Sequence, residues 1–262
     1  MIDPLNYFLS FFQNPNVWGI VIAVIFGAIW LTCFWPPLVK KPWHWAVMVG
    51  SAIITAIAIS FVQIPLQSIS GNAMLQKWGS ETLMDWLLLS GIPAVLIGGL
   101  VQEGAKMVPV VIYWWRKNMK IDYKLGITLG AVAGAGFGIL EAQGIHNSII
   151  AMGWSWSLTQ TTGLEALIPF IDRFFVIAFS TASTALTGYG LAKGKGWQFY
   201  LIASILNVVL NYSALLIPAK IFSLVQVEIF IAIWALIVTG VALWLRWAER
   251  AEQKQPDKIK KH

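Results

Sequence analysis

Residues 17–36, VWGIVIAVIFGAIWLTCFWP, run for twenty positions without a charged side chain. About 20 consecutive apolar residues is the length that carries a helix across the hydrocarbon layer of a bilayer. The rest of the chain is composed in the same way. Of its 262 residues 58% are hydrophobic and 11% charged, against roughly a quarter charged in soluble domains, so the chain reads as an integral membrane protein. No lysine or arginine precedes the first apolar run, and no small-residue cleavage site interrupts it. It is therefore read as a retained span rather than a signal peptide.

The same length rule marks spans at residues 17–36, 44–66, 86–115, 125–150, 168–192, 198–217 and 224–247. The expectation is an all-α, polytopic fold of seven transmembrane helices in one integral membrane domain, with residues 248–262 as a basic tail. Gly91 and Pro93 interrupt the third segment, so residues 80–90 are a candidate eighth helix lying at the interface. With the N-terminus outside, the inner loops and the C-terminal tail hold fourteen of the eighteen lysines and arginines. That asymmetry sets the expected orientation as N-terminus outside and C-terminus cytoplasmic. The net charge of +6 is thus an orientation signal and not a nucleic-acid surface. Tryptophans such as Trp35, Trp45, Trp115, Trp197 and Trp244 gather at the inner ends of spans, where an amphipathic ring suits the headgroup layer. Cys33 is the single cysteine, which leaves no disulfide framework or cysteine metal site within one chain.

Spans three to six carry polar residues that hydropathy does not explain. A charge at the centre of a membrane helix costs about 2.5–3.5 kcal/mol on insertion scales, so these side chains must face other helices or a wet cavity. In GLVQEGAKMVPVVI, residues 99–112, Glu103 and Lys106 are three apart and Gln102 and Lys106 four apart, spacings that share one helix face. The fourth span repeats glycine at 126, 130, 134 and 138, a bare stripe for close helix approach. Glu141 follows that stripe with no base beside it in sequence. It must be protonated or paired with another helix, and Arg173, at the corresponding depth of span five, is the expected partner, with Asp172 competing. Beyond Arg173 the same span carries Ser180, Thr181, Ser183 and Thr184, hydroxyls that membrane helices use for packing. In span six Asn207 and Asn211 share a face, and Asn207 and Glu103 both fall near the midplane. One polar pocket built by four helices is the result expected.

The order of these motifs resembles the PrsW-type intramembrane proteases, the YhfC-like putative membrane peptidases and the CAAX-processing proteases, over about residues 95–217. The residues that carry the resemblance are Gln102, Glu103 and Lys106, then Gly136, Phe137 and Glu141, then Pro169, Asp172 and Arg173, then Asn207 and Asn211. The resemblance implies a glutamate-dependent peptidase in which a buried carboxylate activates water and fixed donors polarise the scissile carbonyl. On that basis Glu103 is the expected base, Lys106 and Glu141 its electrostatic partners, and Asn207 and Asn211 the carbonyl donors, with Gln102, Arg173 and Ser180 as binding residues. It also implies a multi-pass plasma-membrane protein, in a prokaryote the cytoplasmic membrane.

Three departures bear on activity. Gln102 stands where the family has the first of two glutamates, and Ser180 and Asn207 stand where it has histidines. The histidines present are His44, His146 and His262, none in a motif position, so neither a metal nor another cofactor is expected. His146, five residues after Glu141, is the one histidine near the motifs. The expected partners are the lipid bilayer and a transmembrane segment of a substrate or partner protein, with no nucleic acid. Three functions suit this pattern: a divergent peptidase of reduced activity, a non-catalytic scaffold or assembly factor holding a transmembrane segment, and a small-solute or proton pathway. The last lacks the internal repeat common in transporters. A retinal protein is excluded because residues 225–245 contain no lysine.

Overall fold

In the computed structural model, which describes residues 3–38 and 40–254, every described regular element is helical. Seven helical passages are long and apolar enough to cross a membrane. This is a multi-pass membrane protein. Residues 255–262, the end of the expected basic tail, lie outside the described residues.

A short helix, α1 (Pro4–Ser10), precedes α2 (Val17–Phe34). Asn16 caps α2 by accepting from the N–H groups of Trp18 and Gly19, which satisfies donors that a helix start leaves unpaired. The left-handed Trp35 (φ 45°) ends it. Helix α3 (Trp43–Ala58) passes through a π-turn, Ile59–Gln63, into α4 (Ile64–Asp85). Pro65 is the local reason for the turn, since it has no N–H to donate and its ring crowds the preceding carbonyls. The expected span at 44–66 is thus the first part of a helical passage of 43 residues. The chain breaks at Gly79 (φ 75°), and residues 80–90 form the last turn of α4 and the one-turn α5 (Leu87–Ser90).

Helix α6 (Ile92–Arg116) carries Gln102, Glu103 and Lys106, and α7 (Tyr123–Ala151) carries the glycine stripe and Glu141. After the short α8 (Trp156–Thr162) come α9 (Ile168–Ala192), α10 (Gly196–Ser213) and α11 (Leu224–Lys254). Neither α1 nor α8 was anticipated from hydropathy, because seven polar and apolar residues without a long period give no span signal.

Helix α7 is the axis of the molecule, with 78% of its apolar window buried. Its small residues make this burial possible. A Cβ at Gly130 would stand 2.2 Å from the Thr184 carbonyl oxygen, and one at Gly134 2.1 Å from that of Ser180. Both contacts are backbone of α9, which cannot swing aside as a side chain does. On the opposite face a Cβ at Gly136 would stand equally close to the backbone of α3, 2.2 Å from the Met48 oxygen. Gly134→Ala is therefore expected to destabilise the protein by about 1–3 kcal/mol, the range for overpacking. Gly240→Ala on α11, where nothing lies within 4 Å, should be neutral or stabilising. Thermal unfolding of both variants in detergent checks the contrast.

Candidate intramembrane site

The close α7–α9 seam brings the polar residues of four helices together. Glu103 of α6 is fully buried, and Lys106 is 1% exposed. The Lys106 ammonium donates to Glu103 Oε1 at 2.6 Å and to Ser180 Oγ at 3.3 Å. Asn207 Nδ2 donates to the same Oε1 at 2.9 Å, Ser183 Oγ does so at 3.2 Å, and Thr184 Oγ1 reaches Oε2 at 3.4 Å. Ser180 passes its own proton to the Gly134 carbonyl at 2.9 Å. A buried charge is tolerated when paired and hydrogen-bonded in this way. Glu103 has four donors and no exposed surface.

Beside this network lies an inner chamber of about 50 Å³. Its polar wall consists of Gln102 and Lys106 from α6, Glu141 from α7, Arg173 and Ser180 from α9, and Asn207 and Asn211 from α10. Seven of the eight residues singled out in the sequence therefore share one cavity. The exception is Glu103, which sits behind Lys106 and Asn207 and is not part of the wall. A polar space of this size has room for water.

Glu141 occupies the opposite situation to Glu103. Its side chain is 26% exposed, and its charged neighbour is Arg173, whose Nη1 is 3.5 Å from Oε2. Arg173 gives its shorter contacts to Asp172, including Nε to Oδ2 at 2.6 Å, so the competition foreseen between the two acids goes to Asp172. Among the described residues no hydrogen bond reaches Glu141, so beyond the long ion pair from Arg173 to Oε2 the carboxylate faces the cavity. Asn211 turns its amide onto the Asn207 carbonyl at 3.1 Å and onto the Asn207 side-chain oxygen. It fixes Asn207 and spends both of its own protons.

Gln102 and Glu141 also line a second, larger space of about 210 Å³. This vestibule is bounded by Tyr7, Ser10 and Gln13 at the N-terminus and by Gln63 of the π-turn. Helix α1 is fastened over it by Gln143 Nε2, which donates to the Phe11 carbonyl at 3.0 Å. The Tyr7 phenol is pushed above its ordinary value, mainly by burial and secondly by the Glu141 carboxylate, and so stays protonated as a donor. Sequence reading missed these wall residues. Gln63, an isolated amide just before Ile64 and Pro65 in an apolar run, was the available signal.

Among the described residues no group of three His, Cys, Asp or Glu side chains converges as a metal-ligand set. His146 is not on either cavity. Its Nδ1 lies 3.2 Å from the Gly19 carbonyl and its ring packs against Phe26 and Phe170. His44 is buried at the start of α3, stacked on Trp43.

Residues 41–242 match the family model described as PrsW family intramembrane metalloprotease. No curated protein and no solved structure matches the chain.

Proposed function

The chain belongs to the PrsW family of intramembrane metalloproteases, and on that premise we propose that it is an intramembrane peptidase of reduced activity in which Glu141, not Glu103, is the working base. The observation that carries this reading is the contrast between the two carboxylates. Glu103 is saturated by donors and sealed, whereas Glu141 borders both the chamber and the vestibule, is partly exposed, and is held by one long ion pair to Arg173.

The metal in the family's description does not fit this donor set. Glu141 is the single acid on the wall of the inner chamber, it faces the cations Lys106 and Arg173 there, and no histidine reaches it. No step is therefore derived through a metal.

The vestibule receives an extended piece of a membrane protein, and the inner chamber holds the water. Glu141 takes one proton as the water oxygen bonds to the scissile carbonyl carbon, and the C–N bond then breaks as that proton passes to the leaving amine. The oxyanion formed between these steps needs fixed donors. Asn207 has one amide proton beyond its bond to Glu103, Gln102 has one beyond its bond to Gln63, and the Lys106 ammonium has one beyond Glu103 and Ser180. Glu103 serves by holding Lys106 and Asn207 in place.

A second reading has a specific observation in its favour. The amide of Gln102 borders the cavity where the family has an acid, and Arg173 draws on the charge of Glu141. Both features suit a pocket that holds a transmembrane segment without cutting it. The orientation that goes with either reading is N-terminus outside and basic ends inside, in the cytoplasmic membrane of a prokaryote, supported by the charge asymmetry of the loops.

Cleavage of a labelled single-span substrate in proteoliposomes separates the readings. Slow cleavage by the wild type, unchanged by a chelator and reduced at least about 100-fold in Glu141→Gln, is expected for a lost general base. Binding without cleavage by either protein favours the holding role, and inhibition by the chelator contradicts the metal-free mechanism.

A further inference from the structure

The side chain of Gln102 is held from outside the motifs. Gln63 closes the π-turn, is 9% exposed, and its Oε1 accepts from Gln102 Nε2 at 3.1 Å. One extra residue in a helix rotates the following side chains by about 100° relative to those before it. The π-turn thereby sets the face on which Gln63 meets α6. Helix α6 is shaped to receive it. Gly98, one turn before Gln102, is bare on this side, and a Cβ there would stand 3.4 Å from Gln63 Nε2. One turn further along α4, Gln67 Nε2 donates to the Ala94 carbonyl at 2.7 Å. The two glutamines clamp α4 to α6 over the turns that lead to position 102. Gln63 and Gln102 both border the vestibule, and Gln102 borders the inner chamber as well.

We propose that Gln63 is the positioning residue for position 102, fixing the side chain there on the partition between vestibule and chamber, and that the same amide turns to donate when position 102 is a carboxylate. The proposal rests on the reading of this cavity as a peptidase site, but both of its tests work on a protein that cleaves nothing. Loss of cleavage would sink that reading without touching these results.

The first test is a cycle of thermal midpoints for the full chain in detergent: wild type, Gln63→Met, Gln102→Met and the double variant. Each single variant is expected to lower the midpoint by about 2–4 °C, the shift for breaking a partly buried hydrogen bond in a chain of this size. The double variant should fall no further than the worse single, because partners in one bond are not additive. The second test introduces Gln102→Glu and follows labelling of the new carboxyl by a hydrophobic carbodiimide, which reacts with the protonated form, against pH by mass spectrometry. Adding Gln63→Met should raise the labelling midpoint by about one unit or more, since a donor to the charged form has been removed. Adding Gln63→Glu should raise it further through like charge. An additive thermal cycle or an unmoved labelling midpoint overturns the proposal.

Discussion

Gln102→Glu should raise cleavage of a membrane substrate by about 100-fold or more over the wild type. Position 102 borders the chamber that holds the water and the vestibule that admits polypeptide, and the family resemblance implies an acid there. A well-placed general base contributes about 10²–10⁴-fold. Beside Glu141, which alone takes the proton in the wild type, a carboxylate at 102 adds a second base on the water, and Asn207 and Lys106 remain as oxyanion donors when the Gln102 amide is lost. The change adds no bulk, Gln63 is in place to donate to it, and Lys106 and Arg173 supply positive charge to the same chamber. Initial rates in proteoliposomes at equal folded concentration measure the effect. A rate equal to the wild type would mean that the cavity no longer presents a substrate to position 102, which the holding role requires and the peptidase reading does not.

Lys106→Met should cost about 3–5 kcal/mol of stability, the range for leaving one member of a buried ion pair uncompensated. The ammonium is 2.6 Å from Glu103 Oε1, and both side chains are essentially out of contact with solvent. The hydroxyl and amide donors that remain do not replace a positive charge. Adding Glu103→Leu to Lys106→Met should recover part of the loss, because an apolar pair of similar volume is often as stable as the ion pair it replaces. Recovery stays partial because Asn207 loses the acceptor of its 2.9 Å hydrogen bond. Chemical unfolding of the two variants in bicelles gives the comparison. A double variant less stable than Lys106→Met alone would show that the Glu103 contacts to α9 and α10 outweigh its charge.

What the sequence disclosed follows the range of each physical signal. Runs of about 20 apolar residues are local, so all seven passages were legible, as was the glycine stripe whose period makes the α7–α9 seam. The gathering of Gln102, Lys106, Glu141, Arg173, Ser180, Asn207 and Asn211 could be anticipated because polar residues in a membrane must find one another. Which carboxylate opens to the cavity could not. The sequence shows Glu103 with Lys106 one turn away and Glu141 without a base beside it, but the sealing of Glu103 is completed by Ser183, Thr184 and Asn207 on other helices, which local spacing does not reveal. Arg173 likewise had two acids to choose from, and it gives its shorter contacts to the adjacent Asp172. The vestibule was hidden for another reason. It depends on the seven-residue α1 and on a π-turn, and neither produces a periodic signal.

The central claim is that Glu141 does the chemistry and Glu103 holds the frame. The direct measurement is the cleavage rate per folded molecule of Glu141→Gln beside Glu103→Gln, each corrected by its folded fraction in the same proteoliposomes. The account predicts that Glu141→Gln abolishes cleavage while folding normally, and that Glu103→Gln loses stability yet keeps its rate per folded molecule within about tenfold of the wild type, short of the loss of a general base. Cleavage that survives Glu141→Gln and disappears in folded Glu103→Gln would contradict it.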